Sequence, residues 1–158
     1  MKSSRIQTAI LAGIGGAVGI FLLAVISVNG GTLLLMAPFG ASCVLLFSVP
    51  NSPLSQPMNV VGGHLVSSAI GVLLSLFVTP TPMALGLSVA LAIVFMALLN
   101  VTHPPAGADP LLIMLGAKEV DFLLFPVLTG SVSLVLIACA YHHFLGTAEY
   151  PLSKKTRY

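Results

Sequence analysis

The stretch NVTHPPAGADPLLIML, residues 100–115, interrupts a long apolar part of this sequence. It contains a histidine, two adjacent prolines and Asp109, within a sequence that otherwise carries almost no charge. Of the 158 residues, 57% are hydrophobic and 6% are charged, whereas soluble domains have about 25% charged residues. Asp109 is the only formal charge between positions 6 and 117. This composition predicts an integral membrane protein, with the lipid bilayer as one of its partners.

Basic residues lie near both ends of the sequence and give it a net charge of +2. They are Lys2 and Arg5 at the start and Lys154, Lys155 and Arg157 at the end. Basic ends of this kind orient a membrane protein and do not indicate a nucleic-acid partner. We therefore predict that both termini are cytoplasmic, in a multi-pass protein of the bacterial inner (plasma) membrane with an even number of crossings.

Four apolar stretches have about the length, ~20 residues, that a helix needs to cross a bilayer. They are residues 6–28, 60–78, 83–99 and 122–144. The first follows a basic start as a signal peptide would. However, it is longer than a signal core, so we predict a retained span.

Two further apolar stretches, residues 32–50 and 101–116, are interrupted by proline and glycine. In each, a proline precedes a turn of small residues and then an aliphatic run, which is typical of a half-helix that begins inside the bilayer. The predicted fold class is thus an all-α polytopic membrane protein. It has four long transmembrane helices plus two broken half-helix segments, in a single domain over residues 1–158.

The two broken segments resemble each other. PFGASCVLL from Pro38 and PAGADPLLI from Pro105 share Pro-x-Gly-Ala followed by a short polar residue, at an offset of 67 positions. The same offset places Gly63 on Gly130. We therefore predict internal repeat units at residues 5–79 and 80–146.

The repeat can be built in two ways. If each broken segment enters the bilayer and returns, the chain crosses four times and both half-helices enter from one side. If each is an extended strand followed by a half-helix, there are six crossings in a three-plus-three inverted repeat. We favour the inverted form, because TLLLMA at residues 32–37 has strand-like composition and HPP at residues 103–105 is expected to be extended.

Small residues surround both predicted helix starts. Unpaired amides at a helix start attract anions, and small side chains let a ligand reach the backbone. Close packing between helices is the alternative explanation. The residues are Gly40, Ala41 and Ser42 in the first segment and Gly107, Ala108 and Asp109 in the second.

Asp109 is costly to bury without a partner. We expect it to cap the half-helix that begins at Pro110, with its charge offset by His64, by His103 or by a proton. Asn59 is expected to cap the second span or to face the same cavity. Thr102 completes the predicted substrate-binding set. His142 and His143 are expected at the membrane interface.

Catalysis is not expected from these residues. Ser42, His64 and Asp109 are the types of a nucleophile, a base and an orienting carboxylate, but no nucleophile elbow surrounds the serine and no second acidic group supports a metal. Cys43 and Cys139 lie in apolar surroundings and are expected to pack as small hydrophobic residues. The chain is therefore predicted not to be an enzyme and to have no catalytic residues, metal or cofactor.

Three motifs together resemble the HPP family of integral membrane proteins. They are APFGAS at residues 37–42, QPMNVVGGH at 56–64 and THPPAGADP at 102–110, and the resemblance covers nearly the whole chain. Family members in plant plastids and cyanobacteria are associated with nitrite transport, so the resemblance implies a small-anion permease. The family pattern often has a basic residue where this chain has Met58, a difference that bears on rate and selectivity.

We therefore predict membrane transport of a small inorganic anion, nitrite first, through a site formed by the N-termini of the half-helices. The alternatives are a passive channel for a small neutral or weakly acidic solute such as nitrous acid, and a structural membrane subunit. A homo-oligomer is expected, because six crossings offer little interior. Gly13, Gly15, Gly16 and Gly19 give the first span a face suited to close contact within or between subunits.

Overall fold

A computed structural model describes residues 4–32, 34–116 and 120–153, and within these residues the chain is all helical, with no strand. The α-helices are α1 Arg5–Gly30, α2 Pro38–Ser48, α3 Pro57–Phe77, α4 Pro82–Leu98, α5 Asp109–Leu115 and α6 Thr129–Leu145. Short helical turns precede α3, α5 and α6 at Pro53–Ser55, Pro104–Ala108 and Val120–Leu128. The predicted all-α class is confirmed.

The long helices lie where the apolar stretches predicted them. Three have the length and composition to cross a bilayer: α1, α3 and the continuous stretch Val120–Leu145 that ends in α6. The remaining predicted span forms α4, which has 17 residues and is therefore about 25 Å long. The two broken segments form the shorter helices α2 and α5.

The approach to each half-helix differs from the prediction. Residues 34–36 have no regular secondary structure, so the strand expected in the first segment is absent from the described residues. His103 is extended, with φ −137° and ψ 103°, but Pro104–Ala108 forms a 3₁₀ helix. Proline restricts the residue before it to extended conformations, yet proline itself fits the first turn of a helix, where its missing amide hydrogen has no partner to lose.

The first broken segment runs toward the end of the bundle at which α1 begins, which we call the near end. Phe39, at the start of α2, packs against Gly130 at the start of α6. Ser48, at the end of α2, lies beside Thr8 near the start of α1. The helix therefore returns from the opposite, far end to the near end.

The second broken segment runs in the opposite direction, alongside α3. Its beginning packs near the start of that helix, where Val101 contacts Gly62. Further along, Pro110 packs against Gly71, nine residues later in α3. Over the described residues, α2 and α5 thus run in opposite directions, and each lies in sequence between two longer helices.

Two glycines that lie 67 positions apart make equivalent contacts. A Cβ on Gly63 would lie 2.9 Å from the carbonyl oxygen of Val101, and a Cβ on Gly130 would lie 2.5 Å from that of Leu34. Val101 and Leu34 are themselves 67 positions apart. Likewise, α1 contacts α2 and α6, whereas its counterpart α4 contacts α5 and α3. The inverted repeat stays a prediction, which these paired contacts support.

The near end is covered by the segment that follows α6. The Tyr150 hydroxyl donates to the Ser55 carbonyl at 2.9 Å, and the Leu152 amide donates to Gln56 Oε1 at 2.9 Å.

Of the two histidines expected at the interface, His143 is exposed, whereas His142 is only 2% exposed. Burial is the main cause that raises the pKa of the Tyr150 phenol well above its usual range.

Candidate functional site

Four side chains from different parts of the chain form a continuous series of hydrogen bonds, which we call the buried polar chain. Asp109 Oδ2 lies 2.8 Å from His64 Nδ1. His64 Nε2 lies 2.9 Å from Ser42 Oγ, and that oxygen lies 2.9 Å from His103 Nε2. All four residues are 0% exposed. The two half-helices are therefore joined through polar side chains in the interior of the bundle.

The far side of His103 is also paired. Its Nδ1 donates to the carbonyl oxygen of Leu54 at 2.8 Å. His103 can approach α3 closely because Gly63 has no side chain, and a Cβ there would lie 2.6 Å from the His103 Cβ. Phe39, on α2, packs edge-on against the ring of His64 on α3, with ring centroids 5.1 Å apart. The two imidazoles are thus held in position by backbone and aromatic contacts.

The depth of the buried polar chain follows from the helix positions. His64 is the eighth residue of α3, so it lies about 10 Å from the helix start. A bilayer's hydrocarbon core is about 30 Å thick. A helix that begins at the edge of that core would hold this chain of hydrogen bonds inside the apolar layer, where unpaired polar groups are costly.

Two further serines on α3 support the second half-helix, and the sequence analysis missed both. Ser67 Oγ donates to the Ala106 carbonyl at 2.6 Å, and Ser68 Oγ donates to Asp109 Oδ2 at 3.2 Å. They follow His64 by three and four positions, the spacing at which residues share one face of a helix. Helical spacing from His64 would have identified them.

The predicted capping role of Asp109 is wrong. Asp109 has helical dihedral angles, φ −61° and ψ −43°, and is the first residue of α5. Ala108 occupies the cap position, without a side-chain cap bond. The preceding 3₁₀ turn runs directly into the helix, and the Asp109 amide donates to the Ala106 carbonyl. The carboxylate is consequently free to face α3.

One oxygen of Asp109 remains unsatisfied. Within the described parts of the chain, Oδ1 is the one buried side-chain oxygen or nitrogen that has no hydrogen-bond partner. Leaving a buried acceptor unpaired costs about 1–3 kcal/mol, so purely structural buried polar groups are usually fully paired. This oxygen is therefore available to a proton or a small solute.

The other predicted site residues lie outside the buried polar chain. Asn59 Nδ2 donates to the Thr102 carbonyl at 2.9 Å, so these two residues join the start of α3 to the segment before His103. The four small residues Gly40, Ala41, Gly107 and Ala108 are exposed or half-buried, and a Cβ on either glycine would meet nothing within 4 Å. Gly40 instead lines a groove between α1 and α2.

The backbone amides expected to attract an anion are engaged in the first half-helix. The Phe39 amide donates to the Met36 carbonyl at 3.0 Å, and the Gly40 amide donates to the Ala37 carbonyl at 3.1 Å. What the two half-helices share at their meeting point is the set of polar side chains.

Ser42, His64 and Asp109 are connected in the order of a Ser-His-Asp triad. Ser42, however, lies within α2, is fully buried, and also bonds His103. A triad nucleophile needs access to its substrate. The chemistry that these enclosed groups share is proton exchange along hydrogen bonds. Among the described residues, no group of three histidine, cysteine, aspartate or glutamate side chains is arranged to hold a metal ion.

Comparison with known proteins identifies relatives of the whole bundle. Residues 1–151 match the family described as HPP, transmembrane region. One transmembrane protein of Dictyostelium discoideum is 35% identical over 147 residues, covering 85% of this chain and 47% of its own length. A second from the same organism is 33% identical over 146 residues, covering 85% of this chain and 51% of its own.

The chain therefore spans about half the length of these curated relatives. No solved structure shows a significant match to the chain. The family match extends over the six α-helices and includes every residue of the buried polar chain. This chain belongs to the HPP transmembrane family.

Proposed function

We propose that this chain is a membrane transporter that moves a small inorganic anion, with nitrite as the first candidate substrate. The observation that carries the proposal is the buried polar chain, which joins the two half-helices and includes an unpaired carboxyl oxygen, Asp109 Oδ1. Ionisable groups inside a membrane mark solute or proton pathways. The resemblance to nitrite-associated family members supports nitrite in particular.

Charge compensation makes an anion compatible with this carboxylate. An isolated carboxylate would repel an anion, but Asp109 lies 2.8 Å from the His64 ring and 3.2 Å from the Ser68 hydroxyl. With its charge offset, the site presents imidazole and hydroxyl groups to a solute. Nitrite is the anion of a weak acid, so it can cross together with a proton.

Access to the site requires movement. The four members of the buried polar chain are fully enclosed, so a solute reaches them only when the packing around them opens. We expect the two half-helices to separate, because Ser42 and Asp109 hold His64 from opposite sides.

Nitrite uptake into proteoliposomes tests the proposal, with protein-free liposomes as the blank. Uptake that depends on a pH gradient indicates coupled transport, whereas uptake that is independent of the gradient indicates a passive channel for a solute such as nitrous acid. His103→Gln should reduce uptake by about tenfold or more, since it removes a buried hydrogen-bonded group. His143→Gln, at an exposed histidine, is the matched control.

The full enclosure of the polar chain favours a second candidate, a structural membrane subunit in which the hydrogen bonds only fix helix packing. No nitrite uptake by folded protein, under any gradient, would support this candidate against transport.

We further propose that the chain is not an enzyme. The burial of Ser42 and its second bond to His103 support this proposal. A serine-directed phosphonate reagent should leave Ser42 unmodified in folded protein, and stoichiometric labelling of Ser42 would contradict the proposal.

We also propose a homo-oligomer that forms along the groove between α1 and α2. The groove has a volume of about 1000 Å³ and is lined by small residues, including Gly13 and Gly16. Gly15 and Gly19, in contrast, pack inside the subunit against Phe47. Gly13→Leu should shift native mass spectra toward monomers, whereas Gly86→Leu, at an equally open glycine of α4, should not. Only monomers in the unmodified protein would contradict the proposal.

Both ends of the described chain lie at the near end of the bundle, since the Tyr141 hydroxyl in the last helix donates to the Leu11 carbonyl in the first. We propose that this near end faces the cytoplasm of a bacterial inner membrane. Arg5, the first residue of α1, lies at the near end and supports this orientation, because cationic residues favour the cytoplasmic side.

A further inference from the structure

The hydrogen bonds of the buried polar chain fix how many protons it holds. The count begins at His103, whose Nδ1 faces the carbonyl oxygen of Leu54 at 2.8 Å. A carbonyl only accepts, so this nitrogen carries a hydrogen. If His103 is neutral, its Nε2 is then a lone pair, and it lies 2.9 Å from the Ser42 hydroxyl. The single hydroxyl hydrogen must therefore be donated to His103.

The same hydroxyl contacts a second imidazole nitrogen. Ser42 Oγ lies 2.9 Å from His64 Nε2. Because the hydroxyl hydrogen is already used, His64 must donate from Nε2. The other nitrogen of His64, Nδ1, lies 2.8 Å from Asp109 Oδ2. That contact is satisfied either by a protonated Asp109 that donates to His64 or by a doubly protonated His64 that donates to an anionic carboxylate.

One further arrangement without net charge satisfies the contacts among the four side chains. A doubly protonated His103 donates from Nε2 to Ser42, Ser42 donates to His64 Nε2, and His64 donates from Nδ1 to an anionic Asp109. Each of the three arrangements contains one proton more than an ionised Asp109 with two neutral histidines. Without that proton, the Ser42 hydroxyl would face two lone pairs with one hydrogen, and one contact would be repulsive. Ser42 Oγ also forms a longer hydrogen bond, of 3.4 Å, to the Pro38 carbonyl of its own helix. If the hydroxyl donated only there, both imidazoles would have to donate to Ser42, which requires a second extra proton and a net positive charge.

We propose that Asp109, His64, Ser42 and His103 form a proton relay that holds one proton at zero net charge and passes it between Asp109 and His103. The transfer has three balanced steps. A proton leaves Asp109 Oδ2 for His64 Nδ1, the hydrogen on His64 Nε2 moves to Ser42 Oγ, and the hydroxyl hydrogen moves to His103 Nε2. The reverse sequence restores the first state.

Uncharged groups surround the relay within the described part of the chain. Among the described residues, the groups that face it are the hydroxyl of Ser68 at Asp109, the hydroxyl of Ser67 one turn along α3, and the ring edge of Phe39 at His64. The sequence of α4 contains no titratable side chain. In α6, His142 bonds the Leu46 carbonyl and the Thr147 hydroxyl, away from the relay. A neutral proton count also suits a region of low dielectric, where net charge is costly.

In the proposed transporter, the relay would supply the proton that is coupled to anion movement. That coupling rests on the proposed function, whereas the relay itself does not. Its proton content can be measured without any solute. In detergent-solubilised protein labelled with ¹⁵N-histidine, we expect ring-nitrogen shifts at neutral pH that show a hydrogen on His64 Nε2 or an imidazolium at His64 or His103. Where Asp109 holds the proton, infrared spectra should show a carboxylic-acid band that Asp109→Asn removes. Two neutral histidines with Nε2 unprotonated beside an ionised Asp109 would overturn the proposal.

Ser42→Ala tests the link itself, with Ser88→Ala as the matched control. Ser88 is equally buried, but its hydroxyl bonds only a carbonyl of its own helix, that of Leu85, at 2.7 Å. Ser42→Ala should lower the rate of proton flux driven by a pH gradient by about tenfold or more. Ser88→Ala should leave this rate unchanged. Equal rates in folded protein of both variants would contradict the relay.

Ser42→Thr, which keeps the hydroxyl, should restore proton movement if the alanine variant misfolds. The two proposals fail separately. A protein with the expected histidine protonation but no solute flux retains the relay and loses the transporter. A protein that transports nitrite with two Nε2-unprotonated, neutral histidines and an ionised Asp109 retains the transporter and loses the relay.

Discussion

The first and second half-helices have matching positions but carry different side-chain chemistry. Ser42 and Asp109 occupy equivalent positions, 67 residues apart, and both bind the imidazole of His64, one at Nε2 and the other at Nδ1. One position is a neutral hydroxyl and the other is an ionisable carboxyl. A single ring therefore bridges two matching positions of unequal chemistry.

The helices that support the two half-helices differ in the same way. α3 presents Ser67 and Ser68 to the second half-helix and its approach. The counterpart positions on α6 are Leu134 and Val135, which lie in the hydrophobic core. At these matched positions, hydroxyl groups of α3 bond the second half-helix and its approach, whereas α6 has apolar side chains. The bond from α6 to the first half-helix comes from a different position, where His142 Nε2 lies 2.9 Å from the Leu46 carbonyl. The same backbone arrangement can therefore support apolar packing in one half of the chain and ionisable groups in the other.

The largest expected effect comes from removing the ionisable member of the pair. Asp109→Leu should lower the free energy of unfolding by about 3–5 kcal/mol, because it removes one partner of a buried pair and leaves His64 and Ser68 facing an apolar group. Denaturant titration in detergent measures this change. Asp109→Asn, of nearly equal volume, should be milder and should fold while losing the pH response. A leucine variant as stable as the wild type would show that the two half-helices do not differ in this respect.

The matched glycine contacts test whether the two halves have equivalent backbone packing, and their expected effect is the second largest. Gly63→Ala and Gly130→Ala should each destabilise the protein by about 1–3 kcal/mol, because each Cβ would be forced against a carbonyl oxygen. Gly86→Ala, where the Cβ meets nothing within 4 Å, should be neutral or stabilising. Thermal unfolding of the three variants provides the comparison. A cost at only one of the two matched glycines would break the proposed equivalence of the halves.

The serine support of the second half-helix should have a smaller effect. Ser67→Ala removes one of the two donors to the buried Ala106 carbonyl and leaves the Asp109 amide in place, so we expect a loss of only about 1 kcal/mol. Ser75→Ala, in the same helix, removes a hydroxyl that bonds only the Val72 carbonyl and serves as the control. The difference between their unfolding midpoints isolates the contact between α3 and the second half-helix. Equal midpoints would mean that hydrogen bonding does not distinguish the two half-helices.

The smallest effect is expected at Met58, which is 65% exposed at the start of α3. Its counterpart in the second half is Phe125, also an exposed apolar residue. Met58→Lys should change stability by less than about 0.5 kcal/mol and should raise the initial rate of nitrite uptake at low ionic strength. Phe125→Lys is the matched control, and equal rates in both variants would remove any role for charge at position 58 in particular.

Much of the fold followed from run length and proline position. Pro38, Pro57 and Pro82 each begin a helix close to where an apolar stretch begins, because proline fits the first turn and disrupts later ones. The residue at which each helix starts was predicted less accurately than the presence of the helix. α3 begins three residues before the predicted span, since its first turn includes Pro57 and Asn59, which a hydropathy criterion leaves out.

The site was predictable in its members but not in its bonds. Ser42, His64, His103 and Asp109 were all recognised as polar groups in apolar surroundings. Which histidine meets the carboxylate depends on how α3 is rotated against α5, and a sequence does not specify that rotation. The capping role failed for a local reason, since the 3₁₀ turn before Asp109 already supplies a partner for its amide.

The contacts that cover the near end join positions far apart in the sequence, which affects the order of folding. The Tyr150 hydroxyl bonds the Ser55 carbonyl across 95 positions of sequence, and the Leu152 amide bonds Gln56 across 96. Bringing such distant positions together costs more chain entropy than local helix formation does. The helices are therefore expected to form and insert first, and the near end is expected to close last. A chain with these contacts removed would retain its spans but lose the step that completes assembly.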